Sequence, residues 1–162
     1  MNLEALKEKQ KEIAKLKAEA QQMASDAFDS FCKEIFEKHP KVESFGWSQY
    51  TPYFNDGDTC TFSANTDCIS INGEYVDDSK WVSEKNVVDW GTWNRDLRIY
   101  EGRVEVPNLD YNSELVKGAD EIVEFLSNFD NDFYITRFGD HAEITVSKDG
   151  VDVDEYDHDK VK

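Results

Sequence analysis

The sequence predicts an α+β protein: a long N-terminal helix that begins as a coiled-coil-like arm, then an antiparallel β-sheet with a second helix packed on it. Three observations carry that reading. Residues 2–37 contain neither Gly nor Pro and are rich in Ala, Leu, Glu, Lys and Gln, the strong helix formers. Residues 45–49, 60–64 and 142–146 alternate apolar and small or polar side chains with the period of a strand. Residues 113–128 gather Leu115, Val116, Ala119, Ile122, Val123 and Leu126 on one helical face. The chain divides into the helix, 1–40, and an acidic domain, 41–162, with a Trp-rich elaboration at 74–110.

The first helix has two characters. Leu6, Ile13, Ala20 and Ala27 recur every seven residues, and Leu16 and Met23 fall three later, in d-type positions. Lys9 and Ser30 interrupt the d series. Beyond Met23 the apolar set broadens to Phe28, Phe31, Cys32, Ile35 and Phe36. The first half therefore reads as an exposed arm that makes a homo-oligomer through Leu6, Ile13, Leu16 and Met23. The second half reads as docked on the domain. His39-Pro40 ends the helix, because the residue before proline is pushed out of the α region.

The rest of the chain is organised around the stretch from Phe45 to Asp58. Phe45, Trp47 and Gln49 alternate with Ser44, Gly46 and Ser48, and Cys60, Phe62 and Ala64 alternate in turn, so a hairpin with a long aromatic loop is expected. Phe45, Trp47 and Phe62 are expected in the core. Cys68-Ile69-Ser70-Ile71 is a third strand, closed by Asn72-Gly73. Residues 74–110 give only short extended pieces around Trp81, Trp90 and Trp93. Asn112 or Ser113 caps the second helix. The last segment reads as a hairpin with a two-residue type I′ turn at Asp149-Gly150, which sets Val146 opposite Val153.

Charge narrows the partners. The net charge is −17, and residues 1–41 are balanced, eight Lys against eight acids. Residues 42–162 carry 10 basic and 27 acidic side chains, so the whole excess belongs to the domain. Such a field repels nucleic acid and anionic membrane and attracts cations and basic proteins. No apolar run is long enough to cross a bilayer, and no signal-peptide core is seen. Cys32, Cys60 and Cys68 are odd in number and lack CxxC spacing, which fits a reducing cytoplasm.

Two stretches stand out together. Trp47-Ser-Gln-Tyr-Thr-Pro-Tyr-Phe-Asn-Asp-Gly-Asp58, and Phe138-Gly-Asp-His141 running on to Asp149-Gly150 and Glu155-Tyr-Asp-His-Asp159, resemble a family of small bacteriophage-encoded acidic proteins with no assigned activity. The resemblance implies a phage origin and expression in a bacterial cytoplasm. It supplies no catalytic residues.

Several constellations are candidate sites. Asp56, Asp58, Asp140, His141, Asp157, His158 and Asp159 would converge like metal ligands if the two motifs meet, but their spacing matches no HExxH or EF-hand pattern, and turn residues explain them as well. Neither a metal nor another cofactor is expected. Cys60 with His141 would make a nucleophile and base, against a buried, inert thiol. Tyr53, Trp90 and Trp93 would line a small-ligand groove, against ordinary core packing. No Gly-rich phosphate loop exists, and a nucleotide-binding or sequestering oligomer would need Arg95, Arg98, Arg103 and Arg137 clustered. A metal-dependent enzyme is the weakest reading. The leading one is non-enzymatic: Glu143, Asp152, Asp154, Asp157 and Asp159 form an acidic face that binds a basic host protein, as a nucleic-acid mimic or an inhibitor of host defence.

Overall fold

The computed structural model describes residues 2–53, 57, 59–75, 86–109 and 111–157. Asn2 caps the first helix, α1 (Leu3–Lys38), by accepting the Ala5 amide at 2.9 Å. The helix stops at His39, as the proline demands. Its two halves behave as the composition implies. From Leu3 to Ala20 almost every residue is exposed, and the first fully buried side chain is Phe28. Phe28, Ile35 and Phe36 then anchor the second half in the core.

Strand β1 (Ser44–Tyr50) lies at the centre of the main sheet. On one side it pairs antiparallel with β9 (Ala142–Ser147), which pairs with β10 (Gly150–Glu155) at the edge. On the other side it pairs with β2 (Ser63–Ala64) and β3 (Ser70–Ile71), and β3 pairs with β4 (Glu74–Tyr75). The hairpin expected for 45–64 exists, but only Ser63 and Ala64 of its second half pair, opposite Tyr50 and Gln49. Phe62 lies outside the strand and is half-buried against the core. The Asn72-Gly73 turn forms as expected, with Ile71 opposite Glu74 and positive φ at both turn residues.

Two helices complete the layer under the sheet. α2 (Ser113–Leu126) is capped by Asn112 and buries Gly118, Ala119, Ile122 and Leu126. Gly118 lets it approach the end of α1 closely, since a Cβ there would lie 2.8 Å from Val42 Cγ2. α3 (Asn131–Phe138), capped by Asp130, is not expected from the sequence. Its eight residues give too short a periodic run to stand out, and its Phe133, Tyr134 and Phe138 bury only because other rings receive them. Phe28 meets Trp47, Phe125, Phe129, Phe133 and Phe138 at centroid distances between 5.6 and 6.3 Å, which joins all three helices to β1.

Between β4 and α2 the Trp-rich region forms a nested hairpin. β5 (Asn86–Asp89) pairs with β8 (Val104–Pro107), and β6 (Thr92–Asn94) pairs with β7 (Ile99–Glu101). Trp90 and Trp93 flank Tyr100, at 5.5 and 4.8 Å, and both are about half exposed (51% and 49%). Trp81 lies outside the described residues.

The C-terminal hairpin corrects one expectation. Val146 faces Val151, not Val153, and Gly150 faces Ser147, so the turn residues are Lys148 and Asp149. A type I′ turn needs positive φ at both central residues. Neither Lys148 nor Asp149 has it; the positive φ falls on Gly150, where the strand resumes. The register differs by two residues, so every side chain keeps its face.

Candidate interaction face

Period two gives the main sheet an inner and an outer surface. Phe45, Trp47, Gln49, Ala142, Ile144 and Val146 point inward and are buried. Glu143, Thr145, Asp152 and Asp154 point outward with Ser44, Ser48 and Tyr50. Asp154 lies directly opposite Glu143, and Asp152 lies two residues away along β10, opposite Thr145. Directly opposed side chains are about 5 Å apart at Cβ, so this is a like-charge pair in contact range. None of the three carboxylates forms an ion pair among the described residues.

Tyrosines surround this acidic strip. Tyr156 donates its backbone N–H to the His141 carbonyl at 2.7 Å and stacks its ring on Tyr50, centroids 5.0 Å apart. Tyr75, on β4, is 44% exposed. Burial raises the Tyr156 phenol above its ordinary value, and Tyr50 and the Glu143 carboxylate add to the effect. Tyr75 is raised by burial and then by Glu143, Tyr156 and Cys68. Both therefore stay protonated within electrostatic reach of Glu143. Sequence reasoning finds the acids and misses these tyrosines. The alternation that points Ser48 and Tyr50 to one face is the signal for the first of them.

The corner where β1 leaves the sheet brings the two motifs together. Gln49 is fully buried; its Oε1 accepts from Trp47 Nε1 at 3.1 Å, and its Nε2 donates to the carbonyls of Tyr134 (3.1 Å) and Gly139 (2.6 Å). It thus ties β1 to the last turn of α3 and gives the C-cap carbonyl of Gly139 a donor. Asp140 accepts from the Thr51 amide (2.8 Å), the Thr51 hydroxyl (2.7 Å) and the His141 amide (2.9 Å). Burial pushes its carboxyl up, yet the hydrogen bonds from Thr51 and His141 outweigh that and hold it below the usual range. The His141 ring stacks on Tyr53 at 4.5 Å, and its Nε2 is 3.8 Å from Asp140.

The other candidates separate. Asp140 is consumed as a brace, and among the described residues no group of three His, Cys, Asp or Glu is placed to hold a metal. Asp157 is half-buried at the end of β10, while Asp56, Asp58, His158 and Asp159 lie outside the described residues. Tyr53 is stacked on His141, whereas the two tryptophans meet Tyr100 at tilted angles, so their described ring partners differ. Arg137 is committed to Asp29 Oδ1 (2.5 Å) and the Ser25 carbonyl, whereas Arg95, Arg98 and Arg103 belong to the nested hairpin. A cleft of about 790 Å³ runs between α1 and the β9–β10 turn, with Cys32, Phe36, Val146 and Val151 in its lining. Burial, reinforced by Asp29 and opposed by Arg137, pushes the Cys32 thiol up to about 12, too high for a nucleophile at neutral pH. The arm residues Leu6, Ile13, Leu16 and Met23 are all solvent-exposed, from 44% at Leu6 to 72% at Met23.

Fold and site define an α+β protein with a projecting helical arm and an acidic, tyrosine-edged sheet face. No helix among the described residues is long and apolar enough to cross a membrane. No protein-family model matches the chain, and neither a curated protein nor a solved structure is significantly similar to it.

Proposed function

We propose that this is a non-enzymatic interaction protein of the bacteriophage type, working in a bacterial cytoplasm, whose outer sheet face binds a basic host protein in place of nucleic acid. The observation that supports it most is the opposition of Glu143 and Asp154. Acids on β10 alone have a simpler explanation, because charges on an edge strand discourage other strands from pairing with it. Glu143 is on β9, an interior strand, so edge protection does not account for it. Directly opposed like charges destabilise a sheet, and a cationic partner would relieve the repulsion. The tyrosine rim supplies the aromatic, hydrogen-bonding contacts on which protein interfaces depend most. Arg and Lys side chains that neutralise phosphates can meet carboxylates held on a rigid sheet in the same way. Targets of this chemistry include nucleic-acid enzymes and defence proteins with basic grooves.

The test is capture of partners from bacterial lysate by the wild-type chain and by Asp152→Asn/Asp154→Asn. The expected partner is basic, is released by salt and by double-stranded DNA, and associates more slowly with the variant. A partner held equally at low and high salt, or bound together with DNA, would sink the mimicry. We further propose that the arm makes the protein a homo-oligomer.

A further inference from the structure

We infer that the arm pairs with a second copy of itself in the antiparallel sense, which would display two acidic faces at opposite ends of one rod. This rests on the proposed homo-oligomer and adds its geometry. Interrupted only by Lys9, the seam is exposed from end to end: Leu6, Ile13, Leu16, Ala20, Met23 and Ala27 are all open to solvent. Neighbouring Ala24 and Phe28 pack against the core, and Ala20 borders a groove shared with Phe129 and Phe133, so the domain flanks the seam without covering it. The unpartnered stripe is therefore accessible along its whole length.

Residue pairing and charge select the orientation. In an in-register parallel pair every core position meets itself, which opposes Lys9 to Lys9 and Ala20 to Ala20. In the antiparallel pair a positions meet d positions. Leu6 then lies opposite Met23, Ile13 opposite Leu16, and Lys9 opposite Ala20, whose small side chain lets the lysine stem pass and its ammonium reach water. The arm is also polarised. Residues 1–18 hold five Lys and three Glu, and residues 19–41 hold three Lys and five acids. Antiparallel pairing lays the basic half of each arm along the acidic half of the other, towards the acidic domain. Parallel pairing would set two domains carrying the chain's whole negative excess side by side.

The rim favours the alternative slightly. Glu12 would face Lys17 of the second copy in the parallel pair, and Glu12 would face Glu19 in the antiparallel one. Exposed pairs of this kind contribute little, and a lysine pair in the seam outweighs them. With 1.5 Å per residue, the points where the two helices enter their domains would be roughly 40 Å apart. A target presenting two basic sites at that spacing would be bound with the gain of a second, intramolecular contact.

Orientation can be read by disulfide trapping in the full chain, because both positions are exposed and tolerate substitution. Leu6→Cys and Met23→Cys chains are oxidised separately and as a mixture, with the wild-type chain, which keeps its three native cysteines, as the blank. A covalent dimer that forms above the blank only in the mixture is the expected result, since in this arrangement like positions are too far apart to bond. Self-linking of each variant alone would establish a parallel pair and overturn the inference while leaving the oligomer intact. Failure of every combination, with light scattering at the monomer mass, would overturn the oligomer itself. Added salt is expected to weaken the antiparallel dimer; strengthening by salt would count against it. DNA competition for a partner reports on the acidic face separately, so the two readings fail independently.

Discussion

The two halves of α1 are one unbroken helix, yet they meet opposite fates. Between Leu3 and Ala20 the apolar residues are spaced a heptad apart and stand in solvent. From Ala24 onward, aromatic residues crowd the side that faces α2, α3 and β1. Propensity makes the first half helical, and packing of its aromatic face supports the second. What separates them is the width of the apolar stripe: a two-position seam suits one other helix, while a broad aromatic face needs a whole domain.

The sharpest way to break this contrast is to truncate each half by one side chain. Phe28→Ala removes the ring that joins five others, and Trp47→Ala removes its neighbour on β1; each is expected to cost about 3–5 kcal/mol in denaturant unfolding. Ile13→Ala, 52% exposed, should change monomer stability by about 0.5 kcal/mol or less while lowering the association state in light scattering. Equal losses at Phe28 and Ile13 would mean that the arm is folded into the core of the molecule.

A buried polar brace sharpens it next. Gln49→Leu keeps the volume but strands the Trp47 N–H and takes the side-chain donor from the carbonyls of Tyr134 and Gly139. Each buried group left unsatisfied costs about 1–3 kcal/mol. The loss should show as faster amide exchange in α3, with the exposed half of α1 unchanged.

Smaller effects come from acids held below their usual range. Asp140 is depressed by Thr51 and His141 against the opposing effect of burial, and Glu121 is depressed by hydrogen bonds from Lys38 and His39. A depressed carboxyl contributes stability above its unfolded value, about 4, and that contribution disappears as pH falls through the folded value. Asp140→Asn should therefore be less stable at neutral pH and flatter than wild type below about pH 4. Thermal melts across pH would show it; an unchanged acid limb would mean that Thr51 and Asp140 are not bonded in solution. Glu121→Gln should behave likewise, through the lost hydrogen bonds from Lys38 and His39.

Much of the architecture was legible because it is local. The span of α1, its stop at His39-Pro40, the Asn112 cap and the Asn72-Gly73 turn depend on residues within a few positions of one another. The outward aim of Glu143, Asp152 and Asp154 needed only the parity of a strand, and it survived a turn displaced by one residue because the register moved by two. That parity is why the candidate face could be read before the hairpin was correctly closed.

The remainder depends on residues distant in sequence. α3 is short and gains its identity from Phe28 and Trp47, which receive its rings. Gln49 accepts from Trp47 two residues away, but its side-chain N–H groups meet their acceptors only when folding brings Tyr134 and Gly139 to it from 85 and 90 positions away. Asp140 reads as a turn residue or a metal ligand until Thr51 occupies it. The tyrosines gather around Glu143 only when β1, β4 and the end of β10 are brought into one sheet. Pattern decides which face a side chain takes, whereas its partner is decided by the packing of the whole sheet and its helices.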